Sequence, residues 1–420
     1  MNGKLEELKA RLGEIADLNN AASILSWDQQ TYMPPGAAEA RAAQLTTLHK
    51  LAHERVLSDE LGRLLDELAA ATADLDPDSY EASLVRVTRR KRDQQVKLPT
   101  DLVARLSRAR ALGHAAWERA RAASDFPLFL PHLAEIVDLA REMAETLGYE
   151  DRPYDAHLDR FEPQIKTSQV EALFAELKAG LVPLVQAIAE RQATVDDSAL
   201  HGEFDVDRQW RFGLEVITGL GYDLRHGRQD RAAHPFTTSF TPADVRITTR
   251  LYPDQLEPAL FATIHEAGHA LYEQGISPDL ARSPLGEAAS LAVHESQSRM
   301  WENIVGRSRG FWNHWLPRLR QAFGPQLAGL SDEAFYRAIN RVQPSLIRVE
   351  ADEVTYNLHI ILRMEIERAL LRGDLAAGDV AAVWRQKMRA SLGVEPPTDA
   401  AGALQDIHWS MGALGYFPTY

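Results

Sequence analysis

Residues 256–274 read Leu-Glu-Pro-Ala-Leu-Phe-Ala-Thr-Ile-His-Glu-Ala-Gly-His-Ala-Leu-Tyr-Glu-Gln, and Gly275 follows. The stretch reads as one helix. Asp254 and Glu257 offer a capping box, or else Glu257 is the cap and Pro258 the first helical residue, and Gly275 supplies a C-terminal stop. Inside it lies His265-Glu266-Ala267-Gly268-His269. Two histidines four residues apart stand one above the other on one helix face. Their imidazoles can converge on a single tetrahedral ion. Glu266, next to the first, can take a proton from a water on that ion, which Lys or Gln could not do. Composition alone yields such a pentapeptide roughly 0.03 times in a chain of this length. The plain alternative is a surface helix with two solvated histidines and one glutamate.

A catalytic ion of this kind takes three protein ligands and keeps one position open. The 420 residues include no Cys, so the third ligand is His, Asp or Glu. Leu285 to Ile304 reads as the next helix, with Leu291, Met300 and Ile304 among its apolar positions. It carries His294-Glu295-Ser296-Gln297. A helix, a loop and part of a second helix fit between His269 and Glu295, so Glu295 is a candidate ligand. His294 and Glu287 compete with it.

Outward from this centre the chain reads as mainly α. Leu5, Leu8, Leu12, Ile15 and Leu18 form a helical stripe. Met33-Pro34-Pro35-Gly36 breaks it, and a second run follows from Ala37 to Leu68. A third carries Arg89, Arg90, Lys91 and Arg92. Leu98-Pro99 opens another, capped by Thr100 or Asp101. Phe126-Pro127 and Arg152-Pro153 are further breaks, and Thr167 or Ser168 caps a run reaching Gln192. Between Phe236 and Arg250 β-prone residues and a period-2 alternation predict a hairpin or small sheet. Helices resume near Asp254 and continue to about Leu392, ahead of an aromatic tail, Tyr416-Phe417-Pro418-Thr419-Tyr420. The expected division is a helical N-terminal lobe, 1–200, and a lobe bearing the His265 helix, 201–420, in one continuous fold.

Composition excludes several classes. Without Cys there is no disulfide scaffold, thiolate zinc finger, Cys-ligated cluster or cysteine nucleophile. The net charge of −14 argues against a nucleic-acid partner, and Arg89–Arg92 reads as a solvated helix face. The start, residues 1–20, is charged and amphipathic, unlike a signal peptide. No run reaches 18 apolar residues, so no membrane partner is expected. The absence of Cys suits the reducing cytoplasm.

Further short motifs stand in order around the histidines. They are His234-Pro235-Phe236, Asp244-x-Arg246-x-Thr248, Ile347-Arg348-x-x-Ala351-Asp352 and Gly402-x-x-Gln405-Asp406-x-His408-Trp409. With Ser26-Trp27-Asp28-Gln29-Gln30-Thr31-Tyr32-Met33-Pro34, they resemble the M32 metallocarboxypeptidases over essentially the whole chain. The resemblance implies a two-lobed helical fold with a long groove, of the neurolysin and angiotensin-converting-enzyme type. It implies release of single residues from peptide carboxyl ends with broad specificity, in cytosolic homodimers. It favours Glu295 as third ligand beside His265 and His269. Zinc is the default ion for that set, with cobalt or manganese as substitutes.

An exopeptidase must hold a free α-carboxylate, and the planar fork of Arg pairs two oxygens at once. Arg348 is the first candidate, against a simple salt bridge to a nearby acid. Arg246 is the rival, against a pair with Asp244, and His234 is a third residue that can line the site. The oxyanion needs a donor. By resemblance to related gluzincins, His408 with Tyr420 or Tyr416 supplies it, against a plain packing role around Trp409. An endo-acting oligopeptidase on the same site and a non-catalytic helical scaffold are the alternatives. Family members usually continue for several helices beyond Gly415–Tyr420, so a shortened C-terminus, with apolar rings exposed, is expected.

Overall fold

Leucines at helical spacing build the first core. In the computed structural model, which describes residues 2–191 and 195–420, the opening helix spans Asn2–Thr31 and buries Leu5, Leu8 and Leu12. The run expected over 37–68 is two helices, Ala38–Leu57 and Asp59–Thr72. Ser58 separates them. Its backbone is extended, at ψ 142°, and its Oγ accepts the N–H of Leu61 at 3.3 Å. Asp59 and Glu60 then sit in the first turn, where the helix dipole favours them. The next helix, Tyr80–Val96, adds Leu84 and Val85 to the same core. Its basic run is engaged locally: Arg89 pairs with Asp66 at 2.7 Å, and Lys91 with Glu287.

The chain forms two units, each discontinuous in sequence. The first takes Met1–Val96, Asp197–Ala289 and Val293–Ile339; the second takes Lys97–Asp196, Ser290–Ala292 and Asn340–Tyr420. The crossing nearest the division expected at residue 200 lies between Asp196 and Asp197. Packing, not chain order, defines the units.

In the first unit a sheet follows the helix Val206–Leu220. Its strands are β1 (Gly227–Arg231), β2 (Thr237–Thr241) and β3 (Asp244–Thr249). The order is β1-β3-β2, with β1 parallel and β2 antiparallel to β3. The β2-β3 hairpin is the expected one. β1 is an addition, since Gly-Arg-Gln-Asp-Arg carries no β-branched or aromatic residue. Its buried Asp230 accepts the hydroxyl of Tyr32 and pairs with Arg228 at 2.6 Å. Those bonds take the place of an apolar strand face.

In the second unit the helices are Thr100–Ala123, Phe126–Leu147, Pro153–Leu158, Thr167–Ala189, Glu353–Arg372 and Val380–Leu392. Pro99, not Thr100 or Asp101, holds the N-cap position. Thr167 is the first helical residue of its run and is not its cap; its N–H and hydroxyl bond Asp155 at 2.7 and 2.5 Å. That helix ends at Ala189, and the expected end at Gln192 lies outside the described residues. It is long and apolar enough to cross a membrane by length and composition, because the apolar fraction stays high although no uninterrupted apolar run does. The Glu353–Arg372 helix is buried along most of its length and packs with Trp384, Met388, Leu414 and Phe417. The tail rings are thus not left exposed: Phe417 is fully buried and Tyr420 packs on the same core.

Candidate metal centre

The His265 helix spans Glu257–Gln274, with Pro258 in its first turn. Leu256 stands at the N-cap without a side-chain bond, so neither proposed cap forms. Gly275 ends the helix in a right-handed conformation, its N–H reaching Leu271 O at 3.0 Å. One helix face is clamped to the sheet: Ala267 and Ala270 pack with Val245 and Ile247, and Thr263 bonds Thr249 at 2.9 Å. His265 and His269 stand on the remaining surface with side chains only 18% and 12% exposed.

The helix that carries Glu295 is shorter than expected, Leu291–Arg299, and runs into a π-helical turn, Met300–Val305. Gly268 decides how closely it approaches. A Cβ there would stand 2.7 Å from Ser298 Cα and 2.8 Å from Gln297 O, closer than real side chains come. With glycine, the two helix backbones touch and the buried Glu295 reaches the histidines. Its Oε2 lies 3.2 Å from His269 Nε2 and its Oε1 3.8 Å from His265 Nε2. Ligand atoms of His265, His269 and Glu295 all lie within 4.8 Å of one another. Two donors bonded to one zinc at tetrahedral angles sit about 3.4 Å apart, so this donor set fits a small divalent cation.

The competitors are used elsewhere. His294 donates its Nε2–H to the Glu273 carboxylate at 2.8 Å and stacks on the His269 ring at 4.4 Å. Glu287 pairs with Lys91.

Around these three side chains lies a set of partners that the motifs alone do not announce. Thr237 on β2 donates its hydroxyl to Glu266 Oε2 at 2.6 Å and to Glu266 O at 3.0 Å. Glu302, on the π-helical turn, bonds His265 Nδ1 at 2.8 Å. Arg299 spans Glu295 Oε1 and Glu302 Oε2, 3.2 Å from each. Burial opposes the charged forms of His265, Glu295 and Glu302. His265 is nonetheless held up to about 9 by Glu302, Glu266 and Glu295, and Glu295 down to about 2 by the histidines and Arg299. Spacing held a signal for two of them: 295, 299 and 302 fall on one helical face.

The other proposed site residues form a second cluster, in the second unit. Arg348 is buried; its Nε donates to Asp406 at 3.0 Å and its Nη1 to the Tyr356 hydroxyl at 2.6 Å. Arg363 donates to the other oxygen of Asp406 at 2.7 Å. The Arg348 guanidinium lies 4.9 Å from the Tyr420 ring centre. His408 packs beside Tyr416 and Phe417, with ring centres 5.0 and 4.6 Å away. The Tyr416 and Tyr420 hydroxyls are 3.4 Å apart. Burial pushes His408 down to about 4, with Arg348 and Arg363 adding to the effect against Asp406, so the ring is neutral near pH 7. In the first unit Arg246 is paired with Asp244 at 2.8 Å and lies 4.4 Å over Trp27, while His234 is exposed.

The family model for Carboxypeptidase Taq (M32) metallopeptidases matches residues 7–420. Thermostable carboxypeptidase 1 of Thermus thermophilus is 44% identical over 416 residues, covering 97% of this chain and 81% of that protein. The chain belongs to the M32 metallopeptidase family. Carboxypeptidase 1 of Bacillus subtilis is 38% identical over 413 residues, again covering 97% of this chain and 81% of the relative. The crystal structure of the M32 carboxypeptidase from Deinococcus radiodurans R1 superposes with a TM-score of 0.95 at 42% identity, covering this whole chain and 84% of that one. This M32 chain is therefore a metallocarboxypeptidase acting on peptides, and it requires a divalent metal.

Proposed function

We propose that His265, His269 and Glu295 hold a zinc ion with which this M32 protein removes single residues from peptide carboxyl ends, with broad specificity. The observation that carries the reading is the convergence of those three ligand atoms beside the buried carboxylate of Glu266. An ion in that position supplies a Lewis acid for the scissile carbonyl and lowers the pKa of water. Glu266 supplies the proton transfers. Its Oε2 is tied to Thr237, which leaves Oε1 to take a proton from the attacking water and return it to the leaving amine.

Arg348 is our first choice for the group that recognises the substrate carboxylate, with Arg246 and His234 as further substrate-binding residues. Arg348 commits Nε and Nη1 to Asp406 and Tyr356, so its remaining N–H groups carry that role. His408 is the first oxyanion donor, followed by Tyr420 and Tyr416. A neutral imidazole keeps one N–H to donate, which suits the depressed pKa of His408. Cobalt or manganese can take the place of zinc in a two-histidine, one-carboxylate set. A cytoplasmic homodimer is the expected state, in keeping with a chain that has no Cys.

Peptides that differ only in a free or amidated carboxyl end test the exopeptidase register. The free form should be cleaved and the amide spared, with kcat/KM falling at least about 100-fold, as expected when a charged partner of a fixed Arg is removed. Equal cleavage of both, at internal bonds, would replace this reading with an endo-acting oligopeptidase.

A further inference from the structure

In a regular α-helix, a residue seven positions past Glu295 returns to the same face but about 10.5 Å farther along the axis. Glu302 is that residue, and the helix is not regular where it stands. The N–H of Gly306 reaches Trp301 O at 2.8 Å, a bond across five residues that defines the wider π-helical turn. From this turn Glu302, with its side chain 15% exposed, meets His265 Nδ1 at 2.8 Å. Between the two carboxylates, Arg299 bonds one oxygen of each.

We propose that Glu302 and Arg299 are positioning residues for the metal: the π-helical turn exists to bring a carboxylate to the outer nitrogen of His265. The inference rests on the metal-centre reading above. With Nδ1–H donated to Glu302, the His265 ring is fixed in the tautomer that presents the Nε2 lone pair, and its plane is fixed as well. With Oε1 of Glu295 held by Arg299, Oε2 is the oxygen left to face the ion, on the His269 side. The same Arg neutralises part of the charge of two acids packed next to each other. Metal affinity should therefore depend on residues that never touch the metal.

The test is zinc affinity of the whole protein, measured by competition with a chromophoric chelator, together with the visible spectrum of the Co2+-loaded form. Glu302→Ala should weaken zinc binding about 10- to 100-fold, the usual effect of losing an outer carboxylate on a histidine ligand. It should also shift the Co2+ absorption bands, which a loss of stability alone would not do; the metal-free protein should melt somewhat lower as well, because Arg299 and His265 lose a largely buried partner. Glu302→Gln keeps an acceptor oxygen and the volume, and should recover most of the affinity. That variant keeps the test decisive if Glu302→Ala folds poorly. Arg299→Gln should weaken binding and alter the Co2+ spectrum in its own way. Glu302→Ala with wild-type zinc affinity and an unchanged Co2+ spectrum would overturn the inference while leaving the three-ligand site intact. Wild-type protein that retains no zinc or cobalt would overturn the metal-centre reading, and this inference with it.

Discussion

At the scale of single residues the proposed chemistry turns on Glu266. It is buried, follows the first histidine directly, and has one oxygen held by Thr237 at 2.6 Å. Removing a proton acceptor without removing a ligand should separate chemistry from metal binding. Glu266→Gln is expected to lower kcat by about 100- to 10,000-fold, the range for a positioned general base. Its zinc content should stay at the wild-type level, because the amide still accepts from Thr237 and the three ligands are untouched. Steady-state kinetics with metal analysis of the same sample checks both halves. Loss of zinc along with activity would place Glu266 in the ligand set instead. Arg348 illustrates how one residue can satisfy two readings. Its pair with Asp406 and Tyr356 is the structural role weighed against the proposed carboxylate clamp, and burial of that pair makes any truncation destabilising in its own right.

At the scale of elements, the metal centre depends on two helices in backbone contact at Gly268. Gly268→Ala would set a methyl group 2.7 Å from Ser298 Cα, where backbone and not a flexible side chain must yield. Overpacking of this kind costs about 1–3 kcal/mol, and the displaced partner is the helix that delivers Glu295. Zinc affinity and the melting temperature of the metal-free protein should both fall. A variant that melts and binds as wild type would mean that the crossing is looser than the contact distances indicate. Much at this scale was legible beforehand. The interval between two histidines, the spacing of Leu5, Leu8 and Leu12, and the alternation in Asp244–Thr249 each project directly into the observed elements. Three features were not. Ser58 splits a helix by capping, although leucines continue the apolar pattern on both sides. β1 is held by Tyr32 and Arg228 around Asp230, and the Tyr32 contact is remote in sequence. The π-helical turn leaves no mark in periodicity, since it arises from which carbonyl each N–H finds.

At the scale of the whole molecule, the chain passes repeatedly between two units, and each gathers a cluster of residues from distant motifs. The first collects Thr237, His265, Glu266, His269, Glu295 and Glu302. The second collects Arg348, Arg363, Asp406, His408, Tyr416 and Tyr420. The ordered motifs made family membership legible from sequence, because each is short but their combination is not a chance event. Unit boundaries were not, because no Gly- or Pro-rich linker marks where the chain crosses. The central claim is metal-dependent removal of one carboxyl-terminal residue at a time. The most direct measurement is incubation of the 420-residue protein with an amino-blocked peptide, followed over time by mass spectrometry, with and without a metal chelator. The expected result is a ladder of products, each shorter by one carboxyl-terminal residue, that the chelator abolishes and added zinc restores. Internal fragments, or a ladder that persists in chelator, would contradict it.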